Sequence, residues 1–151
     1  MREIHDHAEQ VIDGDPRSVF ETISDIQRLA EWNGAIERVI DWPDLLIPGA
    51  HWTVEMHPSR MVRWKSVSTL QDFDPERLRF AYRTVNADGN PSYSIWQWKV
   101  ASQQEGAKIS VRWDIYLEGL SRRFLAGPIR ERQLRREVAI SLKALTFSNT
   151  G

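Results

Sequence analysis

From Ile36 to Leu117 the chain keeps one habit that leaves few folds open: apolar residues return at every second position, in one segment after another. In a strand, successive side chains point to opposite faces, so this period sorts them into two sets. "IERVIDW" opens the run at Ile36, and "HWTVEM" then puts Trp52, Val54 and Met56 on one face. "MVRWKSVSTL" groups Val62, Trp64, Ser66, Ser68 and Leu70, with Arg63 and Lys65 opposite. "RLRFAYRT" turns Leu78, Phe80 and Tyr82 one way and Arg77, Arg79 and Arg83 the other. "YSIWQWKV" sets Trp96 beside Trp98, and "KISVRWDIYL" aligns Ile109, Val111, Trp113, Ile115 and Leu117. The separators "PDLLIPG", "HPSR", "DFDPE", "NADGNP" and "QQEGA" are turn-forming. The pattern predicts six antiparallel strands with one apolar face, and such a face needs a cover.

The flanks supply the rest. Ile4 to Ile12 reads as an edge or half-exposed strand, broken by "DGDP". Pro16 suits the first turn of a helix with Asp15 as its N-cap, and Val19, Phe20 and Ile23 follow at helical spacing. Ser24-Asp25 reads as a second cap before a short helix carrying Ile26, Leu29 and Trp32, which stops at Asn33-Gly34. From Ser121 to about Phe147 the period is helical: Leu134, Val138, Leu142 and Leu145 form a stripe, with arginines largely elsewhere. Gly127-Pro128 is expected to kink or interrupt this helix. The expectation is one α+β domain over residues 1–151, with a curved seven-stranded antiparallel sheet wrapped around a long C-terminal helix. Two short helices lie between the first and second strands.

Composition narrows the chemistry. A net charge of -1 leaves no footprint for nucleic acid or an anionic membrane. There are 0 cysteines, which excludes disulfides, thiol nucleophiles and cysteine-ligated metal. The N-terminus lacks a signal-peptide core and no apolar run is long enough to span a membrane, so a cytoplasmic monomer or homodimer is expected. No Ser-His-Asp order, phosphate-binding glycine loop or dinucleotide fingerprint is present. No cofactor and no metal site are expected. His5 and His7 share a strand face, but no third ligand accompanies them. The oddity is 7 tryptophans in 151 residues.

Four motifs, in order along nearly the whole chain, resemble the SRPBCC superfamily with its START-like, Bet v 1-like helix-grip fold. They are "VIDGDPRSVFETISDIQRLAEW", "IPGAHW", "STLQDFDPERLRFAY" and "LRREVAISLKAL". Within that superfamily the chain looks like the polyketide cyclase/dehydrase and lipid-transport group. The resemblance implies a cavity for an apolar or aromatic molecule, and by itself no reaction. Aromatase/cyclases of that group carry a pocket arginine four residues after a strand tryptophan and a pocket tyrosine after the second helix. Here Trp64 matches the tryptophan, but Ser68 and Ile36 stand at the other two positions, which weakens that particular chemistry.

The candidate ligand-binding residues follow from the shared face. Trp64, Phe80, Tyr82, Trp96, Trp98 and Trp113 are predicted on the concave side, with Ser66, Ser68 and Thr84 as polar groups among them. Trp52, Trp32 at the end of the second helix, and Leu134 and Val138 on the long helix complete the set. A plain packed core explains such a cluster equally well, but several buried indole N–H groups are hard to satisfy there, and a pocket relieves the problem. A two-residue turn at Glu105-Gly106 would set Trp98 opposite Trp113; a three-residue loop at Asp88 to Asn90 would set Tyr82 opposite Trp96. Tyr82 is the candidate hydrogen-bond donor or weak acid, and His57, beside a turn, the candidate acid/base. The leading expectation is a binder of a hydrophobic, aromatic or polyketide-like molecule, acting on it by cyclisation, aromatisation or dehydration without a cofactor. The competing readings are a carrier or sensor of a lipid- or quinone-like ligand, and a cochaperone-like module that uses its outer surface.

Overall fold

In the computed structural model, which describes residues 2–118 and 128–150, the alternating run becomes six strands and the N-terminal segment a seventh. The strands are β1 (Arg2–Asp13), β2 (Ile36–Asp41), β3 (His51–Ser59), β4 (Val62–Asp74), β5 (Arg79–Asn86), β6 (Tyr93–Gln103) and β7 (Gly106–Leu117). They form one sheet in the order β1-β7-β6-β5-β4-β3-β2, antiparallel throughout. β2 to β7 are a meander, while the chain crosses from β1 to β2 through two helical segments, so β1 and β2 are the edges.

α1 (Pro16–Ser24) starts as its sequence dictates. The Asp15 carboxylate accepts from the Ser18 backbone N–H at 3.1 Å, and Pro16, which has no N–H to lose, opens the helix. The next segment departs from expectation. Ile26–Glu31 winds as a 3₁₀ helix, and Asp25 caps it with no side-chain hydrogen bond. Its bonds run over three residues, as from Arg28 N–H to Asp25 C=O at 3.1 Å. α2 (Pro128–Thr150) has Pro128 as its first described residue, so the expected kink or interruption at Gly127-Pro128 falls at the edge of the described residues. Ser121 to Gly127, expected to be helical, lie outside the described residues.

The core fills one face of the sheet. Along β1 the even positions Ile4 and Ile12 are buried, and along β7 the odd positions from Ala107 to Trp113. α1 lays Val19, Phe20 and Ile23 over the far end of β6 and β7, with the Phe20 ring edge-on to Phe80 at 5.8 Å. The α2 stripe of Leu134, Val138, Leu142 and Leu145 is buried as the periodicity predicts. α2 is tied to the β1 edge by Arg135, whose guanidinium meets Asp6 at 2.6 Å. Burying each such apolar side chain contributes roughly 1.5–3 kcal/mol, which is what holds the helices against the sheet.

Two registers decide which aromatics meet. The β5–β6 hairpin pairs Tyr82 with Trp96, as the longer loop requires. The β6–β7 hairpin corrects the expectation: Trp96, not Trp98, faces Trp113, and Trp98 faces Val111. The turn residues are Gln104 and Glu105, with Gln104 at φ 48°, and Gly106 is already the first residue of β7. Gly106 is needed there for a different reason. A Cβ at that position would stand 2.5 Å from the carbonyl oxygen of Ile12 on β1.

Candidate functional site

The inner face of the sheet is not packed uniformly. Leu70, Phe80, Trp98 and Trp113 are buried. On the same face, and away from both edges of the sheet, Trp64, Tyr82, Thr84, Asn86, Ser94, Trp96 and Ile115 all keep partial exposure. Exposure in the middle of a concave face means that solvent reaches the space in front of it. The inner face therefore has a packed end under α1 and a partly exposed end toward Asn86 and Ser94, where Ser66 and Ser68 are nonetheless buried.

The packed end is a lattice of rings. Trp98 lies parallel to Phe80 with centroids 6.3 Å apart, and Trp32 meets Trp98 edge-on at 5.6 Å. Tyr82 is edge-on to Trp52 at 5.2 Å. Such offset and edge contacts are the favoured aromatic geometries. Trp32, a candidate ligand-binding residue, is buried beneath the 3₁₀ helix, and its Nε1 has no hydrogen-bond partner among the described residues. Leu134 and Val138 face the same interior from α2.

At the partly exposed end, Trp96 stacks on Trp113 at 5.5 Å and 27°. Three indoles donate to three hydroxyls: Trp64 Nε1 to Ser66 Oγ at 2.9 Å, Trp96 Nε1 to Ser94 Oγ at 3.0 Å, and Trp98 Nε1 to Tyr82 OH at 3.1 Å. Alternation explains two of them, because residues two apart in a strand share a face and the indole reaches its neighbour. Ser68 Oγ and Thr84 Oγ1 share a hydrogen bond of 2.7 Å across β4 and β5. Ser94, directly opposite Thr84 in the β5–β6 ladder, escaped the sequence reading as a site residue, although its parity marks it. Burial pushes the Tyr82 phenol up to about 12, and the bond from Trp98 offsets only part of that. Tyr82 is therefore a neutral hydroxyl donor, not a base.

His57 does not join this group. It lies with Glu37 and Arg63 on the outer face, one residue beyond inward-facing Met56; its Nδ1 is 3.7 Å from Glu37. Its Nε2 is buried with no hydrogen-bond partner among the described residues. The placement beside a turn was right, but strand alternation turns the ring away from the aromatics. His5 is likewise on the outer face, bonded through Nδ1 to Asp114 at 2.5 Å and through Nε2 to Glu3 at 3.1 Å. Among the described residues no cluster of three or more His, Asp or Glu is arranged to hold a metal. The outer face also carries a groove of about 340 Å³, where Arg79, Lys99, Arg112, Glu9 and Asp72 supply charge. No helix among the described residues is long and apolar enough to cross a membrane.

Comparison with known proteins bears on the fold and the family. The family model described as polyketide cyclase / dehydrase and lipid transport matches residues 4–146. No curated protein matches the chain. Among solved structures, the Zhui aromatase/cyclase from Streptomyces sp. R1128 superposes with TM-score 0.79 at 16% identity, covering 99% of this chain and 94% of that one. Ara h 8.0201 superposes with TM-score 0.75 at 13% identity, covering 99% of each chain. Protein CV1439 from Chromobacterium violaceum gives TM-score 0.75 at 18% identity over 97% of each. At these identities the likeness concerns the fold.

Proposed function

The chain belongs to the polyketide cyclase / dehydrase and lipid transport family, has the helix-grip fold of the SRPBCC superfamily, and from that premise we propose that it binds a flat hydrophobic molecule between the sheet and α2. The ligand is aromatic or polyketide-like, and its rings lie against Trp96 and Trp64. The observation that carries this reading is the partial exposure of Trp64, Tyr82 and Trp96 on a face where Trp52, Phe80, Trp98 and Trp113 are buried. A plain core would bury all of them, because exposed indole area in the interior forfeits both packing and dehydration.

If the ligand also reacts, the fold acts as a mould. A reactive chain held against the tryptophans in a near-attack conformer would meet hydroxyl donors at the oxygen where charge develops. A specific observation favours the second reading, a carrier. Tyr82 holds its proton up to about pH 12, and His57 faces away from the aromatics. Tyr82 is not poised to release a proton near neutrality, and His57 is not placed to reach a molecule held against the aromatics.

The test uses the protein's own tryptophans. Flat aromatic compounds should shift or quench the emission of the wild type, and Trp96→Ala should lose affinity for them. Emission that ignores saturating compounds, with Trp96→Ala binding no differently, rules the pocket out. Turnover lost in Tyr82→Phe with binding intact identifies an enzyme; bound ligand recovered unchanged identifies a carrier.

A further inference from the structure

The groove of about 340 Å³ on the outer face crosses the sheet from β1 to β4. Register builds it from two neighbouring cross-strand rows of outward residues. His7, Arg112, Gln97, Ala81 and Asp72 make one row. Glu9, Ser110, Lys99, Arg79 and Asp74 make the next. Ala81 and Ser110 are short where their neighbours are long, which leaves low ground between long walls. Val111, Trp98 and Phe80 also line the groove, but their side chains face the core, so main chain forms its floor. The volume is at the lower end of what small-molecule sites occupy.

Charge is sorted along this groove, not mixed. The acids Glu9 and Asp72 stand at its two ends, on β1 and β4. The three strands between them each bring a cation: Arg112 on β7, Lys99 on β6 and Arg79 on β5. Lys99 and Arg79 are direct partners in the β5–β6 ladder, and Arg112 is diagonal to Lys99. Like charges set directly opposite are destabilising. The sides do little to neutralise them. Lys99 has no ion-pair partner among the described residues. Arg79 stands 3.4 Å from Asp72 and 3.8 Å from Asp74, and Asp74 is already held by Arg77 at 3.1 Å. Arg112 is 3.6 Å from Asp114, which is bonded to His5. Strong bonds from a guanidinium to a carboxylate run to about 2.7–2.9 Å, so both arginines keep donors in reserve.

We infer that this outer groove is a second binding site, separate from the inner face, for a small molecule that carries a dianion: a phosphate ester or a dicarboxylate. Lys99 supplies a point charge with three donors, and Arg79 and Arg112 each offer a planar fork to a pair of oxygens. A doubly charged group offsets the repulsion between Lys99 and Arg79 that the fold leaves standing. A single carboxylate offsets less of it. Glu9 and Asp72 set the limits of the anionic part, because a negative charge carried past Arg112 or Arg79 meets a carboxylate. The site is independent of whatever the inner face holds.

Phenyl phosphate, terephthalate and benzoate test it, each titrated into the isotope-labelled protein and followed by amide NMR. At least one of the two dianions should saturate, move the amides of Ala81, Gln97 and Ser110, and bind about tenfold tighter than benzoate. Phenyl phosphate as the tighter of the two assigns a phosphate ester, and terephthalate a dicarboxylate. Lys99→Gln should weaken the tighter dianion about tenfold, and Arg112→Gln should weaken it too. Lys65→Gln, on the same outer face beside Glu55 and away from the groove, should leave it unchanged. Lys99→Gln also removes the repulsion with Arg79, so its Tm should equal or exceed that of the wild type, which separates lost binding from lost folding. Shifts spread over the basic surface without saturation, benzoate binding as tightly as both dianions, or equal losses in Lys99→Gln and Lys65→Gln overturn the inference.

Discussion

Trp98 donates its indole N–H to the Tyr82 hydroxyl at 3.1 Å along the diagonal of the β5–β6 ladder, two residues out of direct register. The bond joins the packed end of the inner face to its partly exposed end. Tyr82→Phe removes the acceptor and leaves a buried N–H unmatched. The expected cost is about 1–3 kcal/mol, read as a lower urea midpoint with an unchanged slope. The same residue sets a pH limit. Its folded pKa of about 12 lies above the ordinary tyrosine value near ~10, so the native state holds its proton while the unfolded chain releases it. Stability from this group is complete below the unfolded pKa and is lost as pH rises through the folded one. Wild type should lose stability between those values faster than Tyr82→Phe.

His5 and Asp114 are direct partners across the β1–β7 ladder. Hydrogen bonds to Asp114 and then Glu3 raise the imidazole above its usual range. Its contribution to anchoring the edge strand is present at pH below the ordinary histidine value and fades as pH climbs through the raised one. NMR titration should find the His5 inflection above 6.5, and Asp114→Asn should bring it back down. An inflection that ignores the substitution would show the pair to be idle.

Two neighbouring residues of the β6–β7 hairpin should respond in opposite directions. Gly106→Ala drives a Cβ to 2.5 Å from the Ile12 carbonyl oxygen, a backbone atom that cannot step aside. A loss of about 1–3 kcal/mol is expected. Gln104→Gly relieves a left-handed residue at φ 48°, which costs a side-chain-bearing residue roughly 1 kcal/mol, and should raise Tm slightly. Thermal melts of both variants check the pair of signs.

Trp113 is 1% exposed, while its stacking partner Trp96 is half-buried. Trp113→Ala should cost about 3–5 kcal/mol through the cavity it leaves. Trp96→Ala removes less area from contact and should cost about 1–2 kcal/mol. Equal losses in denaturant would mean that Trp96 is ordinary core.

The architecture was legible because alternation is a strong signal: every strand from Ile36 onward, and the buried stripe of α2, follow from parity or period alone. The failures have physical causes. Gly106 reads as a turn residue, yet it is glycine because β1 passes against it, and the turn is carried by Gln104 in a conformation that residue seldom adopts. That one misplacement moved the partner of Trp113 from Trp96 to Trp98. Leu78, expected as the first inward residue of β5, sits before the strand at φ 54°. His57 was judged by its distance from a turn, when parity with Met56 already assigned it to the other face. Which of the inner aromatics stay exposed was not legible at all, because it depends on how far α2 and the 3₁₀ helix stand from each strand.

The division of labour along β5 and β6 bears on how such a protein changes over generations. Positions 80, 82, 84, 94, 96 and 98 look inward, while their immediate neighbours, such as Arg79 and Arg83, look outward. Ligand preference can therefore drift one codon at a time on alternate letters, without disturbing the letters that keep the outer surface charged. Chains that share only 13–18% of their residues with this one over nearly their full length, yet keep its shape, are what that arrangement would leave behind.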